Sequence, residues 1–156
     1  MGYYIVDTNI DKPQLTNFIN KPENNFFYTN TVKKEIRRSS EALPNKIIPD
    51  VFKFVDSKVH SSTIDFILAD LQVSIGLSDI RLKKFRNDLS IIIEAGFICY
   101  DITPENDYKG ALLLTNNLKL YKKFIRNQSN QEKLERAIDL HGLEHLIEIV
   151  RPEYVL

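Results

Sequence analysis

Apolar residues in this chain fall into two patterns: short uninterrupted runs that suit buried strands, and longer stretches spaced by three and four that suit helices. The first short run, Tyr3-Tyr4-Ile5-Val6, ends abruptly in the polar triplet Asp7-Thr8-Asn9. It reads as a buried strand carrying a carboxylate to its C-terminal edge, the side of an open α/β sheet where ligands bind. Asp11 and Pro13 then suit the cap and first turn of a helix with Leu15, Phe18 and Ile19 on one face. Lys21 to Asn25 reads as a polar turn, and Phe26-Phe27-Tyr28 as a second buried strand.

Thr31 stands where it can cap a helix from Val32 to about Arg38. Glu35 lies one full turn inside, and a capping-box glutamate for Thr31 would occupy position 34, which is Lys34, so capping does not account for Glu35. Residues 39 to 62 resist assignment, because Pro44 and Pro49 break regular structure and Val51 to Val55 fits strand or helix equally. From Thr63, Ile64, Ile67, Leu68, Leu71 and Ile75 recur at helical spacing, with Gly76 as a stop. Ser78 and Asp79 open a further helix expected to end at Ala95 before Gly96, with room for a break near Asn87. Its apolar face is Phe85, Leu89, Ile92 and Ile93, and Asp88 borders that face. A carboxylate beside apolar packing needs a cation, donors or a proton.

Phe97 to Tyr100 reads as a strand, 101 to 110 as a polar excursion, and Ala111 to Leu114 as a strand ending in Thr115-Asn116-Asn117. The opening pattern is thereby repeated. Two such strands in a parallel sheet would finish on the same rim. Leu118 to Ile125 then suits a short basic helix, Gln131 to Leu140 another with Gly142 as its stop, and Leu146 to Val150 an edge strand before Pro152.

Composition narrows the field. A chain of 156 residues suits one domain, residues 1 to 156, whose core needs no disulfide or metal staple. Lys plus Arg and Asp plus Glu number 21 each, so net charge points neither to a nucleic-acid coat nor to a membrane surface. The single Cys99 lies in an apolar run and suits a buried, inert thiol in a reducing compartment. No apolar run approaches the ~20 residues of a membrane span, and Asp7 and Asp11 come too early for a secretory signal. The expectation is a cytoplasmic protein with no membrane partner.

Four stretches taken together resemble the PIN-domain family of metal-dependent nucleases, from Tyr3 to about Arg151. They are Tyr4-Ile5-Val6-Asp7-Thr8-Asn9, Val32-Lys33-Lys34-Glu35-Ile36, Asn87-Asp88-Leu89-Ser90-Ile91-Ile92 and Leu113-Leu114-Thr115-Asn116-Asn117. The resemblance implies a three-layer α/β fold, a small parallel sheet flanked by helices, in which Asp7, Glu35 and Asp88 bind Mg²⁺ or Mn²⁺ and carry catalysis. At the position of Asn117 the family often has an aspartate. An amide can ligate through its carbonyl oxygen but adds no negative charge, which puts a second metal ion in question.

Phosphodiester hydrolysis needs an activated water and relief of developing negative charge, and a hard dication held by carboxylates supplies both. Thr8, Asn9, Thr115 and Asn116 are candidate positioning groups for a carboxylate, a bound water or substrate. Basic residues recur beside each acidic stretch: Lys33, Lys34, Arg37 and Arg38; Arg81, Lys83, Lys84 and Arg86; Lys119, Lys122, Lys123 and Arg126. Lys34, Arg38, Lys84 and Lys119 are the candidate contacts to a nucleic-acid backbone. The expected activity is endonucleolytic cleavage of single-stranded RNA, with DNA open. A homodimer and a protein inhibitor or assembly partner belong to the same expectation. The alternative is a PIN-like RNA-binding or protein-docking module without turnover.

Other chemistries fit less well. A haloacid-dehalogenase phosphatase needs an aspartate where Asn9 stands. His141 and His145 are separated by Gly142, and Glu144 is misplaced for a zinc-protease helix. No glycine-rich phosphate loop is present.

Overall fold

The first strand is the centre of a five-stranded parallel sheet. The computed structural model describes residues 2–7, 21–39, 52–104, 111–116, 128–139 and 148–150. Within them lie strand β1 (Gly2–Val6), β2 (Asn24–Tyr28), helix α1 (Asn30–Ser39), β3 (Lys53–Phe54), α2 (Ser61–Ile75), α3 (Asp79–Ile102), β4 (Ala111–Leu114), α4 (Gln128–Asp139) and β5 (Glu148–Val150). The strand order is β3-β2-β1-β4-β5, and every pairing is parallel. This is an α/β fold, as the alternation of apolar runs and helical stretches predicts.

Register places the polar ends together. Val6 pairs with Leu114, so Asp7 and Thr115 leave β1 and β4 side by side. The pairing continues past the strands, with Asp7 N–H donating to Leu114 O at 2.9 Å and Thr115 N–H to Val150 O at 3.1 Å. On the other side Ile5 pairs with Phe27, and two further residues of that register bring Asp7 level with Thr29. Adjacent strands lie about 4.8 Å apart, so Thr29, Asp7 and Thr115 form a polar row across three strand ends.

Side chains alternate between two apolar clusters. Tyr3, Ile5 and Leu113 pack with Ile67, Leu68 and Leu71 of α2 and Leu89, Ile92 and Ile93 of α3. Val6, Phe26, Phe52 and Leu114 point to the opposite face. There the rings of Tyr4, Phe26 and Phe52 stack in series, with centroids 5.4 and 4.9 Å apart. By the period of two, Asp7, Thr29 and Thr115 share the face of Ile5, Phe27 and Leu113, toward α3.

Helix α2 begins at Ser61 rather than Thr63, capped by His60, whose ring accepts from Ser62 N–H at 3.2 Å. It ends at Gly76, which adopts the left-handed conformation at φ 75° and closes the turn with its N–H on Gln72 O. Residues Val55 to His60 form an irregular link after β3, so the ambiguous 51–55 stretch contributes a two-residue edge strand at its described part. That edge pairing explains its mixed signal, since a short strand at a sheet margin needs little apolar alternation.

Several sequence expectations are corrected. Helix α3 does not stop at Gly96 or break near Asn87; it is continuous from Ser78, its cap, to Ile102. The expected strand Phe97 to Tyr100 is therefore helical. The buried positions Leu89, Ile92, Ala95, Ile98 and Cys99 continue one helical stripe, and that packing overrides the β-propensity of Phe, Ile and Tyr. Helix α1 starts at Asn30, which puts Thr31 inside it instead of at its cap. The last helix likewise starts three residues earlier than expected, at Gln128. The expected helices after Asp11 and Leu118, and Gly142, lie outside the described residues. No helix among the described residues is long and apolar enough to cross a membrane.

Candidate functional site

Two polar stripes face each other beside the strand ends. On α1, Thr31, Lys34 and Glu35 fall at i, i+3 and i+4 and so share one side, while Val32 and Ile36 turn inward to the core. On α3, Arg86, Ser90 and Glu94 recur every four residues, with Asn87 beside them. Together they line a cleft of about 320 Å³, closed at one end by Val59, Ser61 and Ile64. That volume is at the lower end of the range for small-ligand sites.

Glu94 is the best-defined group in the cleft. It is 3% exposed, and both of its oxygens are engaged. Its Oε1 accepts from Thr29 Oγ1 and from Thr31 N–H, both at 2.9 Å, and its Oε2 accepts from Thr31 Oγ1 at 2.8 Å. A carboxylate buried to this degree is tolerable only with such donors, because desolvation of the charge otherwise costs several kcal/mol. Thr29 occupies the cap position of α1, its carbonyl accepting from Lys33 N–H at 3.0 Å. Its hydroxyl, which in an ordinary cap accepts from the first helical turn, instead donates to Glu94.

Asn30 ties the cleft to the irregular link. Its Oδ1 accepts from both Ser57 N–H and Ser57 Oγ, and its Nδ2 donates to Asp56 Oδ1, all at 2.9 Å. The Asn30 amide, together with Lys58 N–H, holds the Asp56 carboxyl below the ordinary value of 3.8. On the far wall Arg86 pairs with Asp65 of α2, and Ser90 Oγ returns to Arg86 O at 2.8 Å.

Asp7 is 5% exposed at the end of β1, and Thr115 Oγ1 donates to its Oδ2 at 2.7 Å. Glu35 is half-buried on the cleft wall, and Lys34 is exposed beside it. Asp88 is half-buried on α3 but does not line the cleft; six residues separate it from Glu94, which turns it about 120° around the helix. Asn116 is half-buried and Lys84 exposed, both away from the cleft lining. Thr8, Asn9, Asn117 and Lys119 lie outside the described residues, as does the side chain of Arg38. Among the described residues no three aspartate, glutamate, histidine or cysteine side chains form a group that could hold a metal ion, Asp7, Glu35 and Asp88 included.

Sequence reasoning passed over Glu94, Thr29 and Asn30. One signal pointed to Glu94: it is the lone charge in the run Ile91-Ile92-Ile93-Glu94-Ala95-Gly96-Phe97, a placement that demands hydrogen-bond donors from elsewhere in the fold.

No family model matches the chain, and no curated protein or solved structure matches it either.

Proposed function

We propose that this chain is a PIN-like, divalent-metal-dependent endonuclease acting on single-stranded RNA at the C-terminal rim of its sheet. The observation that carries the reading is the buried Asp7, delivered to that rim by the central strand and held by Thr115. A carboxylate kept out of solvent and oriented by a neutral hydroxyl is prepared to meet a cation.

The donor chemistry fits Mg²⁺ or Mn²⁺, which prefer hard oxygen ligands. Mg²⁺ keeps several waters and needs only one or two direct carboxylates, so a converged trio is not required of the protein. Asp7 would be the direct ligand, with Glu35 of the cleft wall as the candidate second acid; Asp88, turned away from the cleft, would take no direct part. When bound, the ion would supply Lewis acidity and an acidified water. The protein's own part is to orient Asp7 through Thr115 and to keep α1 and α3 at the rim. Lys34 and Arg86 lie in the cleft beside Glu35, where phosphates of a single strand would meet positive charge.

A second reading is a PIN-like RNA-binding or docking module without turnover. It is favoured by Glu94, whose three accepted hydrogen bonds employ an acid of the cleft as a structural acceptor. End-labelled single-stranded RNA incubated with the purified chain and Mn²⁺, with EDTA and Asp7→Asn as controls, separates the two. Metal-dependent fragments lost in Asp7→Asn support the nuclease; RNA retained intact but bound by the wild-type chain supports the module.

A further inference from the structure

Glu94 crosses from one helix to the start of another, and what it holds there is the wall that carries Glu35. From this geometry we infer that Glu94 is a positioning residue for the cleft: through Thr29 and Thr31 it fixes the first turn of α1, and thereby sets Glu35 and Lys34 against α3. The inference extends the nuclease reading and rests on it only where activity is the readout.

Three facts support it. First, the contacts engage both oxygens of the side chain. Two oxygens receive three donors, two hydroxyls and a main-chain N–H, at 2.8 to 2.9 Å. Second, Glu94 takes the place of a local cap. The N–H of Thr31 belongs to the first helical turn, where no intrahelical acceptor exists, and the cap residue Thr29 donates its hydroxyl elsewhere. The α1 N-terminus is therefore stabilised from α3, by a negative charge placed favourably for the helix dipole. Third, Glu35 follows Thr31 by four residues, one turn along the same face, so a shift of the first turn is carried directly to it.

Position 94 also lies in a buried stretch of α3, with Ile93 and Ala95 on either side fully buried. An anchor held by rigid packing transmits position better than one on a loop. A polar acceptor there is demanded by the Thr31 N–H and the two hydroxyls, whereas an apolar residue would satisfy the packing alone. The choice of Glu over Leu is thus explained by α1 rather than by the core.

The test uses Glu94→Leu, Thr31→Val and Thr31→Ser in the full chain, with two readouts. Hydrogen exchange over residues 29–36 reports the anchor without reference to function. Glu94→Leu and Thr31→Val are expected to accelerate exchange of that segment about tenfold while β1 and β4 stay protected, and Thr31→Ser, which retains the hydroxyl, keeps most of the protection. RNA cleavage with Mn²⁺ is expected to fall in kcat by about 10- to 100-fold in the first two variants with KM little changed, because the reacting geometry and not binding is lost. The double variant Glu94→Leu/Thr31→Val should lose no more than Glu94→Leu alone. Loosening of residues 29–36 in a chain that cleaves no RNA even as wild type retires the nuclease reading and leaves the anchor standing. Exchange unchanged in both Glu94→Leu and Thr31→Val overturns the inference, as does loosened exchange with wild-type kcat in a chain that does cleave.

Discussion

Thr115 donates its hydroxyl to Asp7 Oδ2 at 2.7 Å, joining the ends of two adjacent parallel strands that are 108 residues apart in sequence. Both side chains are buried, at 1% and 5% exposure, so the contact is shielded from competing water. Thr115→Val keeps the shape and removes the donor to a buried carboxylate. The expected loss is about 1–3 kcal/mol in urea denaturation at neutral pH. A loss below ~0.3 kcal/mol would mean that the rim accommodates Asp7 by other donors and that Thr115 does not orient it.

The same pair shows which features could be read in advance. Two apolar runs each ending in a Thr/Asn-rich polar triplet are a local signal, and the parallel sheet that places them side by side follows from the alternation of strands with helices. Helix α2 was equally legible, since Ile64, Ile67, Leu68 and Leu71 repeat at helical spacing and Gly76 ends it. The run from Gly96 to Tyr100 was not. Gly and β-prone residues signal a boundary locally, and only the continuous buried stripe through Ile98 and Cys99 keeps the segment helical. Glu94 was legible only as a lone charge in an apolar run; its role depends on donors at 29 and 31, more than 60 residues away, which no periodicity reports. The start of α1 moved for that same cause, because its cap is supplied by another helix.

The link after β3 has a built-in acid sensitivity. Asp56 is stabilised in its charged form chiefly by the Asn30 amide and also by Lys58 N–H, so its folded pKa lies below its ordinary value of 3.8. A group depressed in the folded state contributes stability above its unfolded pKa and loses that contribution as pH falls through the folded value. Wild type should therefore be more stable than Asp56→Ala at neutral pH, with the difference shrinking below about pH 4. Urea midpoints of both proteins across the acid range check this; a constant difference would place the effect in packing instead.

Gly76 closes α2 at φ 75°, and a Cβ built there meets nothing within 4 Å. Any cost of Gly76→Ala is then conformational and not steric crowding, about 1–2 kcal/mol. Gly76→Asn should cost less, since Asn tolerates the left-handed region. Lys58 occupies that region too, at φ 58°, so Lys58→Gly relieves a backbone that Lys adopts reluctantly. The expected result is unchanged or slightly higher stability, measured by thermal denaturation.

Leu89 is fully buried on α3 between the sheet and α2, whereas Ile80 on the same helix is 83% exposed. Leu89→Ala should cost about 2–5 kcal/mol, and Ile80→Ser should fall within about 0.5 kcal/mol of wild type. The contrast tests whether α3 is packed as one continuous helix, because an end or break near Asn87 would free Leu89 from the core. Equal effects at the two positions in equilibrium unfolding would contradict the continuous helix.

Metal binding offers the sharpest test of Asp7 that does not need a substrate. A cation that binds only the folded chain stabilises it by mass action, about 2.7 kcal/mol at a hundredfold excess over Kd. If Asp7 is the direct ligand, Mn²⁺ should raise the Tm of wild type and leave that of Asp7→Asn unmoved. In EDTA the two should differ little, because the Asn carbonyl can still accept from Thr115 while the buried charge is removed. Asp7→Asn less stable than wild type in Mn²⁺ but close to it in EDTA is the expected signature of a carboxylate kept for a cation. Parallel Tm curves for the two proteins across a Mn²⁺ titration would assign Asp7 a structural part at the end of β1, where Thr115 holds it.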